Sequence, residues 1–387
     1  MTNRDDRRRG IVSVNRMSRR RFMAGSGAAL IALGSGSMGL FHGTVARGAE
    51  DNGVETGVSY FGSRDPEHVK RDMEDIARHN CTFVVHTFSE ADYHFYSEAM
   101  REVVRISRDA GLTVYIDPWG VGGVFGGEAY SRFVMENPEE TQRLADGTAL
   151  PAACLNRPAF QAFMDDWIDG AVETGADVLF WDEPHFYIPR AVWRGEQGEN
   201  EWACRCDRCQ ELFRLRYGEE MPEVMTDEVI SFRDRSIVDF FTGASARGAA
   251  AGVKNAVVML PQESPLTGVS SWDLIAAIDT VDIFGSDPYW YAYRLPMREF
   301  VSATTEKVIS VSAEYGKIPQ MWVQAYRVPM GREQEIADAI SIIADMGIRN
   351  VAAWSFRGGS PMNLQSDDPD LVWEVLGAAY GRLREDT

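Results

Sequence analysis

Eight short apolar runs, each followed by a stretch of helical periodicity, fill residues 57–387. They fall at 57–61, 82–86, 113–117, 178–181, 256–260, 281–284, 321–324 and 351–354. Near-continuous apolar runs of this length suit strands covered on both faces. Strict strand–helix alternation implies a parallel sheet, and eight such units imply closure into a single (β/α)8 TIM barrel. An open doubly wound sheet is the competing architecture, but no G-x-G-x-x-G follows the first run. Helix starts are signalled by Asp65-Pro66-Glu67 before 69–77, by Ser270-Ser271-Trp272-Asp273, and by Asp368-Pro369-Asp370 before 371–383. Gly111, Gly175, Gly252 and Gly347 mark helix ends.

Two connections are long, 120–157 and 186–225, and both follow strand C-termini, the functional face of such a barrel. The first opens with Gly-Val-Gly-Gly-Val-Phe-Gly-Gly from Gly120. Its spacing fits neither a P-loop nor a dinucleotide turn, so it is expected to be a mobile rim loop.

The first 49 residues are expected to be an address, with the barrel occupying 50–387. Ser18-Arg19-Arg20-Arg21-Phe22-Met23 is a twin-arginine consensus, followed by a Gly- and Ser-rich apolar stretch, 24–41. A removed signal fits better than a membrane anchor, because the run is short and broken by glycine. The expected partner is therefore the twin-arginine export machinery, and the expected location is extracellular. Eight Arg against two acidic residues precede position 47, so the remainder carries a net charge of −25. Such a surface repels nucleic acid and anionic membranes. Only Lys70, Lys254, Lys307 and Lys317 break a run of arginines, which fits either salt adaptation or high-GC codon usage.

The expected strand ends carry an unusual inventory. The second run ends at His86 and the third gives Asp117 and Trp119. The fourth ends in Trp181-Asp182-Glu183-Pro184-His185. Glu263 follows the fifth, and Asp287, Tyr289 and Trp290 follow the sixth. Gln324 and Tyr326 close the seventh, Trp354 and Arg357 the eighth. Indoles and phenols stack on sugar faces, while carboxylates and amides bind hydroxyls. Glycoside hydrolysis needs a proton-donating carboxyl of raised pKa and a second carboxylate. The ring therefore points to a carbohydrate substrate, with no organic cofactor. Asp117, Asp282 and Arg357 are equally compatible with ion pairs around the barrel mouth.

Asp182-Glu183-Pro184 resembles the Asn-Glu-Pro that ends strand four in retaining glycoside hydrolases of clan A. That resemblance implies that Glu183 is the acid/base and that Asp182 stands where an Asn binds the sugar 2-hydroxyl. Trp354-Ser355 resembles the strand-eight Trp that floors the catalytic subsite. Cys204-Arg205-Cys206-Asp207-Arg208-Cys209 resembles the C-x-C-x-x-C segment of family 42 β-galactosidases, which holds zinc with one upstream cysteine; Cys154 takes that place here. The clan places its nucleophile Glu at the end of strand seven, where this chain reads Gln320-Met321-Trp322-Val323-Gln324. Either Asp182 replaces it, with Asp287 as acid, or Glu183 works with Glu263 or Asp287 across a water.

Five cysteines are present, an odd number, three of them within six residues. Four thiolates in a tetrahedral shell suit structural zinc better than a disulfide, and a filled shell braces rather than catalyses. Cys81 reads as a buried apolar residue.

The sequence thus supports an exported glycoside hydrolase. A non-catalytic carbohydrate-binding barrel is the alternative. A metal-dependent barrel hydrolase or isomerase using His86, Glu183, His185 and Asp287 is the third reading.

Overall fold

The computed structural model describes residues 53–61, 63–188, 201–266 and 268–385. The twin-arginine segment and part of the second long connection lie outside them. Among the described residues ten strands occur: β1 (Glu55–Tyr60), β2 (Phe83–Thr87), β3 (Thr113–Asp117), β4 (Thr141–Arg143), β5 (Ala149–Ala153), β6 (Val178–Asp182), β7 (Lys254–Met259), β8 (Ile283–Ser286), β9 (Ile318–Gln324) and β10 (Asn350–Trp354). Eight of them close a parallel barrel in the order β1-β2-β3-β6-β7-β8-β9-β10, with β10 returning to β1. The remaining pair, β4 and β5, forms an antiparallel hairpin inside the first long connection.

Strand alternation sorts the barrel into two cores. Phe83, Val85, Tyr115, Val178, Phe180, Ala256, Val258, Ile283, Trp322 and Ala352 form one packed cluster, the barrel interior. Their sequence neighbours Val84, Val114, Leu179, Trp181, Val257, Phe284, Val323 and Ala353 belong to the other, which lies between the strands and the helical coat. Neighbouring strand residues point to opposite faces, so each barrel strand feeds both layers.

The helix starts follow their chemistry. Asp65 caps Pro66–Arg78, accepting from the backbone N–H groups of Glu67 and His68 at 3.1 and 3.2 Å. The last helix runs Pro369–Glu385. Two expectations shift. The stretch after Ser270 yields only the four-residue helix Asp273–Ala276, because the chain turns almost at once into β8. That strand begins at Ile283 rather than at 281, since the Val281 N–H still bonds Ile278 in the preceding turn. Gly285 then pairs with Gln320, where a Cβ would meet the Gln320 carbonyl. No helix among the described residues is long and apolar enough to cross a membrane.

Candidate active site

The C-terminal mouth of the barrel holds a cavity of about 250 Å³. Asp117, Asp182, Glu183 and Asp287 supply its recessed carboxyls, and Glu128 a fifth, more exposed one. Trp119, Phe180, Tyr289, Tyr293, Trp322, Tyr326 and Trp354 supply the aromatic walls. The Trp354 and Tyr326 rings meet edge to face, with centroids 4.3 Å apart. Trp119 and Tyr289 lie 6.3 and 6.5 Å from Trp354.

Strand parity explains how these side chains arrive together. Asp182 continues the inward set Val178–Phe180, Asp117 follows Tyr115, and Trp354 follows Ala352. Glu183 should then face outward. Instead its φ is +44°, in the left-handed region, while its N–H still bonds the Val258 carbonyl at 2.9 Å. This turn brings a second consecutive carboxyl into the cavity. A non-glycine residue held there is strained, which proteins tolerate mainly where function needs it. Asp117-Pro118-Trp119 and Asp287-Pro288-Tyr289 use one device twice. The aromatic N–H bonds back to the aspartate carbonyl, at 2.8 and 2.7 Å. The tight turn leaves carboxyl and ring both lining the cavity.

The glycine-rich loop does not stand apart as a rim flap. The Gly126 N–H bonds the Asp182 carbonyl at 2.9 Å, and the His185 N–H bonds the Val124 carbonyl at 2.9 Å. A Cβ at Gly126 would run into the Asp182 carboxylate, and one at Gly127 into the Trp119 indole. The glycines let backbone close over the acid and the ring. Glu128, which sequence reasoning missed, enters the cavity at the end of this loop.

The carboxyls press on one another. Burial, then the charges of Asp182, Glu128 and Glu183, raises Asp117 well above the usual range. Burial and the charges of Glu183 and Glu128 raise Asp182. Burial raises Glu183, partly offset by a hydrogen bond with Asp287. Burial, the Glu183 charge and that same hydrogen bond raise Asp287. Burial thus holds both members of the Glu183–Asp287 pair above the usual carboxylate range.

Several expected site residues lie elsewhere. His86 alternates outward; its Nε2 meets Ser107 Oγ at 2.8 Å, and burial takes its pKa down to about 3. Trp181 also faces the coat, donating from Nε1 to Asn255 Oδ1 at 2.9 Å. Trp290 is buried and donates to Glu335 at 3.1 Å. Gln324 is fully buried, donating to the Tyr326 carbonyl at 3.0 Å and accepting the Tyr291 N–H at 2.8 Å. Arg357 pairs with Asp75 at 2.8 Å, and Asp282 accepts the Asn255 N–H at 2.8 Å. Glu263 accepts the Trp272 N–H at 2.6 Å and pairs with Lys307. His185 Nδ1 contacts the Glu183 carbonyl without lining the cavity. Neither these seven expected site residues nor Asp282, an ion-pair candidate, reaches the cavity wall, because each has its polar atoms engaged in the coat or rim.

A second constellation braces the second long connection. Cys154, Cys204, Cys206 and Cys209 are buried, are not disulfide-bonded, and bring their Sγ atoms within 4.8 Å of one another. Cys154 lies 3.5 Å from Cys209 and 3.6 Å from Cys206. Four sulfurs around a tetrahedral zinc at about 2.3 Å stand about 3.8 Å apart. Asn156 donates to Cys209 Sγ at 3.3 Å, an outer-shell contact of the kind that orients a ligand. Cys206 also precedes the helix Asp207–Tyr217 as its N-cap residue. Cys81 is buried and apart from this group, and burial pushes its thiol up.

No family model matches the chain, and no curated protein matches it in sequence. Solved structures do match its fold. An endo-β-1,4-mannanase from Thermotoga petrophila matches with a TM-score of 0.56 and 10% identity, over 86% of this chain and 77% of that one. An endo-1,4-β-mannanase from Rhizomucor miehei gives 0.55 and 10%, over 85% and 95%. A GH5_18 protein from Streptomyces cattleya, solved with GlcNAc, gives 0.54 and 11%, over 86% and 81%. At such identities the likeness is one of fold: a (β/α)8 barrel.

Proposed function

We propose that the chain is a glycoside hydrolase whose reacting pair is Glu183 and Asp287. The observation that carries this is the convergence of four recessed carboxyls and a ring of indoles and phenols on one barrel mouth. The mannanases and the GlcNAc-bound protein among its structural relatives support it. Glu183 also holds the position at which the clan A resemblance implies the acid/base.

The pair shares one proton, which Glu183 delivers to the glycosidic oxygen as the bond to the anomeric carbon breaks. Asp287 is left ionised to attack that carbon, and water then releases the sugar with Glu183 as base. The two carboxyls lie near enough for each to act on the other's proton, which fits the retaining class, at about 5–5.5 Å, better than the inverting one at roughly 6.5–9.5 Å. This assigns to the sixth barrel strand the role that the clan gives to the seventh, where Gln324 is occupied structurally. Asp182 and Asp117 flank the pair and bind hydroxyls.

Hydrolysis of a panel of aryl glycosides and glycans tests the reading, with product stereochemistry followed by NMR. Turnover that Glu183→Gln abolishes is expected; binding without turnover, unchanged in Glu183→Gln, supports the carbohydrate-binding barrel instead.

The four thiols fit zinc in number, spacing and chemistry, and the ion supplies a filled structural shell there, as the family 42 resemblance implies. Arg233 and Arg157 both feel the charge of these thiols, so they offset part of it. We also propose that residues 1–49 direct twin-arginine export.

A further inference from the structure

We propose, building on the glycosidase reading, that the cavity selects a glycan bearing a free primary amine, a glucosamine-type residue, over neutral, N-acetylated and anionic sugars. Five carboxyl groups line it, and among the described residues none of its lining side chains is Arg, Lys or His. Glu128 feels the charge of Arg327, which is not among the lining residues. Asp117 and Asp287 are 4% and 3% exposed, and the Oδ1 atom of each is buried without a hydrogen-bond partner. Ser59 Oγ, also in the wall, is likewise unpartnered.

Unpaired buried acceptors call for donors, and unpaired buried charge calls for an opposite charge. An ammonium offers three donors and no acceptor. A hydroxyl satisfies an acceptor but leaves the negative charge uncompensated. A uronic acid adds to it. Seven aromatic side chains line the same space, and a desolvated cation is attracted to aromatic faces. The net charge of −25 beyond residue 46 also raises the local concentration of cationic ligands. A divalent metal fits less well: among the described residues only the four thiols converge to within ligand spacing of one another.

Calorimetric titration of the full mature chain carrying Glu183→Gln tests this without turnover. The probes are a fully deacetylated chitosan tetramer, its N-acetylated counterpart, cellotetraose and mannotetraose. The deacetylated tetramer is expected to bind at least about tenfold more tightly than the others. Asp117→Asn, or Glu128→Gln should the former fail to fold, is expected to move that ratio toward one. Equal or tighter binding of the neutral tetramers overturns the inference. So does saturable binding of calcium or magnesium alone that Asp117→Asn removes. If the unsubstituted chain cleaves neutral glycans and shows no cationic preference, the glycosidase reading stands and this inference alone fails. If it neither binds nor cleaves any glycan, both fail.

Discussion

The barrel mouth and the cysteine cluster each gather four acidic side chains below the surface, and they are built in opposite ways. The thiols close on one another within 4.8 Å, with Arg233 and Arg157 near them. The carboxyls instead surround a cavity of about 250 Å³ with no cation among the described residues of its wall. One arrangement has the number and spacing of ligands that a single ion would complete. The other leaves buried acceptors unpaired, and so keeps its electrostatic cost until something enters. A brace must stay filled; a site that turns over must be left incomplete.

The sharpest way to break this contrast is Glu183→Gln. Turnover is expected to fall roughly 100- to 10,000-fold, with metal content and circular dichroism unchanged; full activity would remove the assigned pair. Next in size is the metal. Elemental analysis should find about one zinc per chain. Cys209→Ser should lose it and lower Tm by on the order of 10 °C, and undiminished zinc in that variant would rule the site out.

Asp117→Asn probes the cost of the incomplete site. Its carboxyl has a raised pKa in the folded state. Its favourable contribution is therefore complete below the unfolded-state pKa and is lost as pH rises through the folded one. Removing the charge should stabilise the protein at pH 8 by on the order of 1–3 kcal/mol, and less as pH falls toward 4, while binding weakens. A destabilised variant at pH 8, measured by urea unfolding, would show that Asp117 is paired. The smallest effect is expected at Arg357, whose ion pair with Asp75 is half exposed. Arg357→Ala should cost about 1 kcal/mol or less and leave turnover unaltered; a rise in KM would place this arginine in the binding site after all.

Much of this was legible in the chain. The eight barrel strands lie close to their apolar runs because burial on both faces demands such runs. Asp117, Asp182, Glu183 and Asp287 stand at strand ends, where the barrel puts its mouth. The period of two was available as well, and it separates Asp182 from Trp181 and Val85 from His86. Taking every polar or aromatic strand-end residue as a site residue ignored it. Glu128 gave no comparable signal, since a loop residue has no periodicity to place it.

By itself the sequence determined the barrel, the stations of its carboxylates and the four clustered cysteines, because hydrophobic alternation and ligand chemistry are local properties of the chain. Only the tertiary structure decided which carboxyls meet. The left-handed turn at Glu183, the bare backbone of Gly126 against Asp182, and the pairing of Glu263 with Lys307 rather than with Asp287 each depend on residues far apart in sequence competing for the same space and charge.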